Sequence, residues 1–467
     1  MNPESAALLS NDRRLFLKRM AAGIVGAAGV GSSLAQERGD RPPASTGLQV
    51  LNPRGRVPVS WIIDDSTCLV NLNKFAMPQF DAAFGGSNAV YQRNWRDWPN
   101  EIPDRFVREF GEWCASQGVR GKFSVVPYPA AVGRLDRFLP GWSQKELRES
   151  LEMIRTVMMP NWDIHPEMVT HTRVIDLKTG QPFADSSLKF MENWEWTTGR
   201  GVGEIADYMA YALGILKEAG LACEGVTTPG GFGVRALPQL AQATLQSVRS
   251  VFGAEIPHYF RHLFDRGADS VAPRVEYARR LDSDHPECVV SIVACTGDWT
   301  GGWDNTPPGG ADRFITSDLG GGRMVEIIAR GEPAIALSHW TGIYFNGEEQ
   351  GFQILKEVVR RLKARFDNLI WMKLREIARY WAARELTTLS ADPTGVSVHA
   401  PFACPDFTLR LPRGWKGAPV VVSGAEKRSL REASRPLLLE QNTWARDGEA
   451  PVICFDLARG GSRIEAR

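Results

Sequence analysis

From residue 57 onward, short apolar runs alternate with longer amphipathic stretches. Val57-Pro58-Val59-Ser60-Trp61-Ile62-Ile63 is rich in β-formers and stops abruptly in Asp64-Asp65-Ser66-Thr67; further strand-like runs are expected at 122–126, 168–175, 223–227, 289–294 and 334–337. Helical periodicity fills the intervals at 104–117, 144–158, 204–219, 237–251 and 350–366. The last shows it well, with Ile354, Leu355, Val358, Val359 and Leu362 on one face and Lys356, Arg360, Arg361 and Lys363 on the other. Strands alternating with helices predict an α/β domain with a parallel sheet over 57–385. In such domains chemistry collects where strands end and loops lead into helices. Beyond about residue 389 the helical period stops, and short runs at 407–411, 420–423, 436–439 and 452–457, separated by Pro, Gly, Asn and Asp, predict a small all-β, sandwich-like domain over 386–467.

The N-terminus changes the picture of where the protein works. Arg13-Arg14-Leu15-Phe16-Leu17-Lys18 precedes a Gly/Ala-rich apolar stretch from Met20 and the small-residue ending Ser33-Leu34-Ala35, the three-part layout of a cleavable export signal over 1–35. It resembles the twin-arginine consensus except at Asp12, where Ser or Thr is usual. A buried helix with basic flanks is the competing reading. A membrane anchor needs about 20 predominantly apolar residues, more than this Gly-interrupted core offers. The expectation is passage through the twin-arginine translocase, already folded, to a periplasmic or extracellular location, with a flexible linker over 36–56 and no stable membrane span afterwards.

Composition agrees with that compartment. Removal of 1–35 leaves 51 basic against 52 acidic residues, a net charge of about −1, which argues against nucleic acid and anionic lipid as partners. The 7 cysteines are odd in number and scattered without a CxxC pair, so most read as buried small hydrophobes rather than a disulfide framework. The 15 tryptophans lean mildly toward a glycan ligand, because exposed indole is a common platform for sugar rings.

The sharpest chemical feature is Asp64-Asp65 at the end of a buried strand. Neighbouring side chains on a regular strand point to opposite faces, so both can serve one site only where the strand breaks. A metal suits that arrangement, since one carboxylate can ligate while the other stays a base; a solvated turn or a helix cap at Asp65-Ser66-Thr67 is the competing reading.

The order of the remaining motifs resembles the polysaccharide deacetylase family, carbohydrate esterase family 4 and its relatives. Asp64-Asp65 matches the first motif, Gly121-Lys122-Phe123-Ser124-Val125-Val126 the second strand, and Glu167-Met168-Val169-Thr170-His171-Thr172 the histidine motif. Thr227-Thr228-Pro229-Gly230-Gly231, Cys295-Thr296-Gly297-Asp298-Trp299 and Leu337-Ser338-His339 follow in order, and the likeness spans roughly 57–383. The resemblance implies an incomplete (β/α) barrel that holds a divalent metal, zinc first, with cobalt, nickel or manganese as alternatives. It implies Asp64 as catalytic base and His339 as general acid, Asp65 and His171 as metal ligands, and Gly230, Asp298 and Trp299 at the oxyanion or substrate. The substrate would be a polysaccharide or oligosaccharide that loses an acetyl group.

Three departures mark a divergent branch. The second metal histidine should lie four residues after His171, where Ile175 stands; His165 could substitute if the chain turns near Pro166. The arginine that pairs with the base in the family is replaced by Thr227, so Asp64 is expected to lack a cation, with its pKa tuned differently. Cys295 replaces the leading Asp of its motif. His258 and His262 share helical i, i+4 spacing and are a further candidate metal pair. Two competitors remain open: a glycoside hydrolase using Asp64 with Asp298, and a glycan-binding protein without catalysis.

Overall fold

The computed structural model describes residues 39–42 and 47–467; the signal expected over 1–35 lies outside the described residues. Nine strands position the site: β1 (Val57–Asp64), β2 (Gly121–Ser124), β3 (Trp162–His165), β4 (Gly225–Thr227), β5 (His258–Leu263), β6 (Arg274–Arg279), β7 (Glu287–Ala294), β8 (Ala334–His339) and β9 (Leu369–Trp371). They form two open sheets. One runs β8-β1-β2-β3, all parallel, with β9 also pairing along the start of β1; the other runs β4-β5-β7-β6, parallel except for β6. The two are bridged between Glu167 and Thr227 at one seam and between Asp298 and Leu337 at the other. Helices Asp104–Gln117, Gln144–Met153, Val202–Glu218, Leu237–Phe252 and Gln350–Arg365 fill the crossovers near their expected bounds.

Burial along β1 follows its period of two. Val59, Trp61 and Ile63 face the helices, in one core with Phe106, Phe110 and Trp340. Ile62 faces the other way, into a core with Phe260, Ile292 and Leu337. Each such large side chain contributes about 1.5–3 kcal/mol by leaving water, which fixes the register, because a one-residue slip would reverse every face. Ile62 pairs across to Lys122, Lys122 to Asp163 and Ser124 to His165. Register-matched neighbours share a face, so the inner face of β2 and β3 carries a polar row that continues from Asp64.

Four expectations need correction. No strand occupies 168–175; β3 takes its place, Pro166 follows it, and Met168 and His171 adopt left-handed φ values of 52° and 65° that break any ladder. Within that stretch Arg173 makes a single antiparallel bridge to Met191, and Ile175–Asp176 pairs with Gln181–Pro182. His258 and His262 sit on β5 and not on a helix, so i, i+4 places them about 13 Å apart rather than one turn apart. The segment expected as linker is partly ordered: Gln49–Val50 pairs antiparallel with Arg410 and Leu409, and Pro53–Gly55 forms a short helical turn. Strands β5, β6 and β9 and helices Leu72–Ala83, Arg323–Ala329 and Leu374–Leu386 were not anticipated.

The C-terminal residues form two five-stranded sheets, almost wholly antiparallel, one of which includes Gln49–Val50. Val396, Val398 and Ile464 from one sheet meet Phe407, Leu409, Ile453 and Phe455 from the other. The same core takes in Leu374, Ile377 and Trp381 of the helix Leu374–Leu386 and Phe260 and Ile292 of the parallel sheet, so the two regions are joined by continuous packing. No helix among the described residues is long and apolar enough to cross a membrane.

Candidate active site

The site is built at the C-terminal ends of β1 and β8 and on the loop after β3. β1 delivers Asp64, wholly buried, as its last residue, and the strand breaks at once because Asp65 takes a left-handed φ of 61°. That break lets two adjacent carboxylates serve one place. The Asp65 amide is held by Glu167 Oε2 at 2.8 Å.

Asp64 has a cation after all. Lys122, also wholly buried, donates from Nζ to Asp64 Oδ1, to Ser124 Oγ at 2.7 Å and to the Ile63 carbonyl at 3.3 Å. Three acceptors satisfy its three N–H bonds. The expectation of an uncompensated Asp64 is therefore wrong: the charge that Thr227 cannot supply comes from the neighbouring strand β2. Asp64 Oδ2 is buried with no hydrogen-bond partner.

The loop after β3 brings His171 and Glu167 to Asp65. His171 Nε2 is 3.2 Å from Asp65 Oδ1, and its Nδ1 is 3.5 Å from Glu167 Oε1. Ligand atoms of Asp65, Glu167 and His171 all lie within 4.8 Å of one another. Glu192 holds this loop from beneath: its buried carboxylate accepts the amides of Val169 at 3.2 Å, Thr170 at 3.1 Å and His171 at 2.6 Å, and the Tyr208 hydroxyl. The amides that a strand would have used are spent on Glu192. Burial, with the charges of Asp64 and Asp65 added, pushes the Glu167 carboxyl up to about 7; burial likewise pushes Glu192 up to about 8.

β8 supplies His339 across the site. Its Nε2 is 4.0 Å from Asp65 Oδ2, and its Nδ1 is 2.7 Å from Asp298 Oδ2, which also accepts the His339 amide at 3.0 Å. Thr300 occupies Asp298 Oδ1 through its amide at 3.0 Å and its hydroxyl at 2.6 Å. Burial alone would lower the His339 pKa, but Asp65, the hydrogen bond and charge of Asp298, and Asp64 outweigh it and raise it to about 10. Asp298 is lowered, since the hydrogen bond and charge of His339 and the hydrogen bonds from Thr300 overcome the upward pull of its burial.

The structure thus brings together Asp64, Asp65, His171, His339 and Asp298 from the sequence-derived set, and leaves others apart. His165 is not at Asp65; it ends β3 on the inner face, with its Nε2 3.0 Å from His258 Nε2. β3 stops there, and the turn expected at Pro166 carries Glu167 into the site instead. Ile175 is buried in the core, its amide on the Tyr208 hydroxyl at 3.1 Å. Trp299 is 7% exposed and packs edge-on to Phe314 with Arg313 over its ring, a core contact and not a substrate platform. Gly230 has a φ of 49° and lies against Asn193, whose side-chain amide is 3.5 Å from His171 Nε2, so it borders the site at one remove. Sequence reasoning missed Lys122, Glu167 and Glu192. Glu167 and Lys122 stood inside quoted motifs, and a Glu four residues before a His was the available signal.

Asp64, Asp65, Glu167 and Asp298 outnumber Lys122 and His339 at this largely buried place, and buried charge of one sign is costly unless paired. That excess of negative charge, the unpartnered Asp64 Oδ2 and a carboxylate, carboxylate, imidazole donor set all fit a divalent cation among Asp65, Glu167 and His171.

No protein-family model and no curated protein sequence matches the chain. Among solved structures it is similar to an inferred polysaccharide deacetylase from Mycobacterium smegmatis, at 15% identity over 76% of this chain and 99% of that one, with a TM-score of 0.40. It is also similar to the Puue allantoinase, at 11% identity over 72% and 93% with a TM-score of 0.38, and to an α-fucosidase of Thermotoga maritima, at 9% identity over 89% and 97% with a TM-score of 0.27. At such scores none of them bears on the reaction.

Proposed function

We propose that the chain is a metal-dependent hydrolase that removes acetyl groups from a polysaccharide of the cell envelope or extracellular space, reached by twin-arginine export. The observation that carries this reading is the convergence of Asp64, Asp65, Glu167 and His171 with an Asp298-backed His339 at the strand ends. Asp65, Glu167 and His171 would hold the ion, Glu167 standing in for the expected second histidine. A divalent ion there supplies Lewis-acid polarisation and makes water a better nucleophile near neutral pH. Two carboxylates and one imidazole suit manganese or cobalt as well as zinc.

The protein's own groups divide the proton work. Lys122 fixes Asp64 through Oδ1 and leaves Oδ2 to accept the proton of the attacking water. His339 is positioned to give a proton from Nε2 to the departing nitrogen or oxygen, while Asp298 keeps hold of Nδ1 and stabilises the charged ring. A glycoside hydrolase would need Asp298 free as acid or base, yet both of its oxygens are already occupied by Thr300 and His339. Beside His171, Phe80 presents its ring at 6.3 Å, and half-buried Phe84, Trp194 and Trp303 continue the wall through Tyr91. Such rings favour a sugar-bearing substrate.

Acetate release from a panel of acetylated oligosaccharides, with reducing ends counted in parallel, tests this. Asp64→Asn should lower turnover by roughly 10²–10⁴ with metal retained. New reducing ends without acetate, or an Asp64→Asn variant as fast as wild type, would end the proposal.

A further inference from the structure

His165, absent from the centre at Asp65, has its own partners. On the inner face of β3, Asp163 and His165 lie two residues apart and so project the same way, and His258 opens β5 across the single residue Gly225 of β4. One ligand atom from each of Asp163, His165 and His258 lies within 4.8 Å of the other two, and all three residues are buried. The nitrogens His165 Nε2 and His258 Nε2 are 3.0 Å apart. Two nitrogens about 2.0–2.1 Å from one tetrahedral ion stand roughly 3.3 Å apart, so a shift of a few tenths of an ångström converts one arrangement into the other.

The surroundings are those of a ligand set. His165 Nδ1 faces Thr227 Oγ1 at 3.4 Å; where the hydroxyl accepts that ring's N–H, Nε2 is left bare to ligate. Asp163 is oriented by the Arg375 amide at 2.7 Å and by Arg375 Nε at 3.3 Å. Gly225 does not adopt a left-handed φ, so conformation is not why a glycine stands there. Space is: a Cβ would lie 2.6 Å from His165 Nε2 and 2.7 Å from His258 Nε2. The competing arrangement is a neutral imidazole pair sharing one proton. In the tautomer with His165 Nε2 bare, His258 donates from Nε2, which leaves its buried Nδ1 an acceptor without a hydrogen-bond partner beside the Ile256 backbone. With an ion on Nε2 the proton moves to Nδ1, where it faces that backbone.

We propose that Asp163, His165 and His258 form a second divalent-metal site of the zinc class, distinct from the centre at Asp65. Its three protein ligands leave a fourth position to water, and the burial of all three argues for a structural role: the ion ties β3 to β5 across Gly225 and, through Asp163, to the start of the helix Leu374–Leu386.

The test is elemental analysis of the full chain, purified without chelator from zinc-supplemented growth. Wild type should carry about two zinc per chain, Asp65→Ala/His171→Ala about one, and the same variant with His258→Gln added none. The ion retained by Asp65→Ala/His171→Ala should also resist dialysis against chelator, because its ligands are buried. A folded Asp65→Ala/His171→Ala protein without zinc would overturn the second site. Wild type holding about one zinc that survives Asp65→Ala/His171→Ala but not His258→Gln would keep the second site and remove the first. Should His258→Gln fail to fold, cobalt in place of zinc in Asp65→Ala/His171→Ala decides: visible ligand-field bands of a four-coordinate ion support the site, and their absence overturns it.

Discussion

Removing the Lys122 charge should expose how the base is held. Lys122→Met keeps the alkyl stem and the buried volume but leaves Asp64 without its ammonium partner. At an effective dielectric near 20 and a separation of about 3 Å the lost attraction is roughly 5 kcal/mol, and breaking a buried pair by deleting one partner typically costs about 3–5 kcal/mol. Two further bonds go with it, to Ser124 Oγ and the Ile63 carbonyl. We expect a loss of about 3–5 kcal/mol in denaturant unfolding, followed by circular dichroism on the full chain. Adding Asp64→Asn should return about 2 kcal/mol or more of that loss, because the neutral amide no longer needs a cation. A divalent ion in the buffer should also restore part of it, since it supplies the missing positive charge nearby. Lys122→Met costing less than about 1 kcal/mol, or strictly additive effects of the two substitutions, would refute the reasoning.

Other outcomes follow from the same geometry. Glu192→Ala strands the amides of Val169, Thr170 and His171 and the Tyr208 hydroxyl, so it should cost about 3 kcal/mol or more and weaken metal retention; unfolding curves and elemental analysis of the variant check both. All seven cysteines are buried, with burial pushing the Cys68 and Cys295 thiols up to about 12, so a thiol reagent at pH 8 should label none in the native chain and all seven after unfolding. Fast native labelling would contradict the packing. Arg13→Lys with Arg14→Lys should leave the chain unprocessed in the cytoplasm, as read by cell fractionation; normal processing would remove the export assignment.

Much of the scaffold was legible because its signal is local. The run 57–63 is apolar but for Ser60 because β1 is buried on both faces, and Asp64-Asp65 stood out at its end. The 3.6-residue stripe of Gln350–Arg365 identified its helix almost to the residue. What escaped was the polar inner face. Lys122, Asp163, His165 and His258 put charge and imidazole where a core strand normally carries aliphatics, so β3 and β5 did not read as strands. The β-branched stretch 168–175 did, although the amides of Val169, Thr170 and His171 serve Glu192 and not a neighbouring strand. The Lys122 to Asp64 pair joins residues 58 apart, and no pattern within either motif announces it.

The most direct test is anomalous diffraction from crystals grown with manganese or zinc. A peak about 2.0–2.3 Å from carboxylate oxygens of Asp65 and Glu167 and from a ring nitrogen of His171 is the expected result, absent in crystals of Asp65→Ala. A fully loaded crystal with no peak among these three residues would contradict the account.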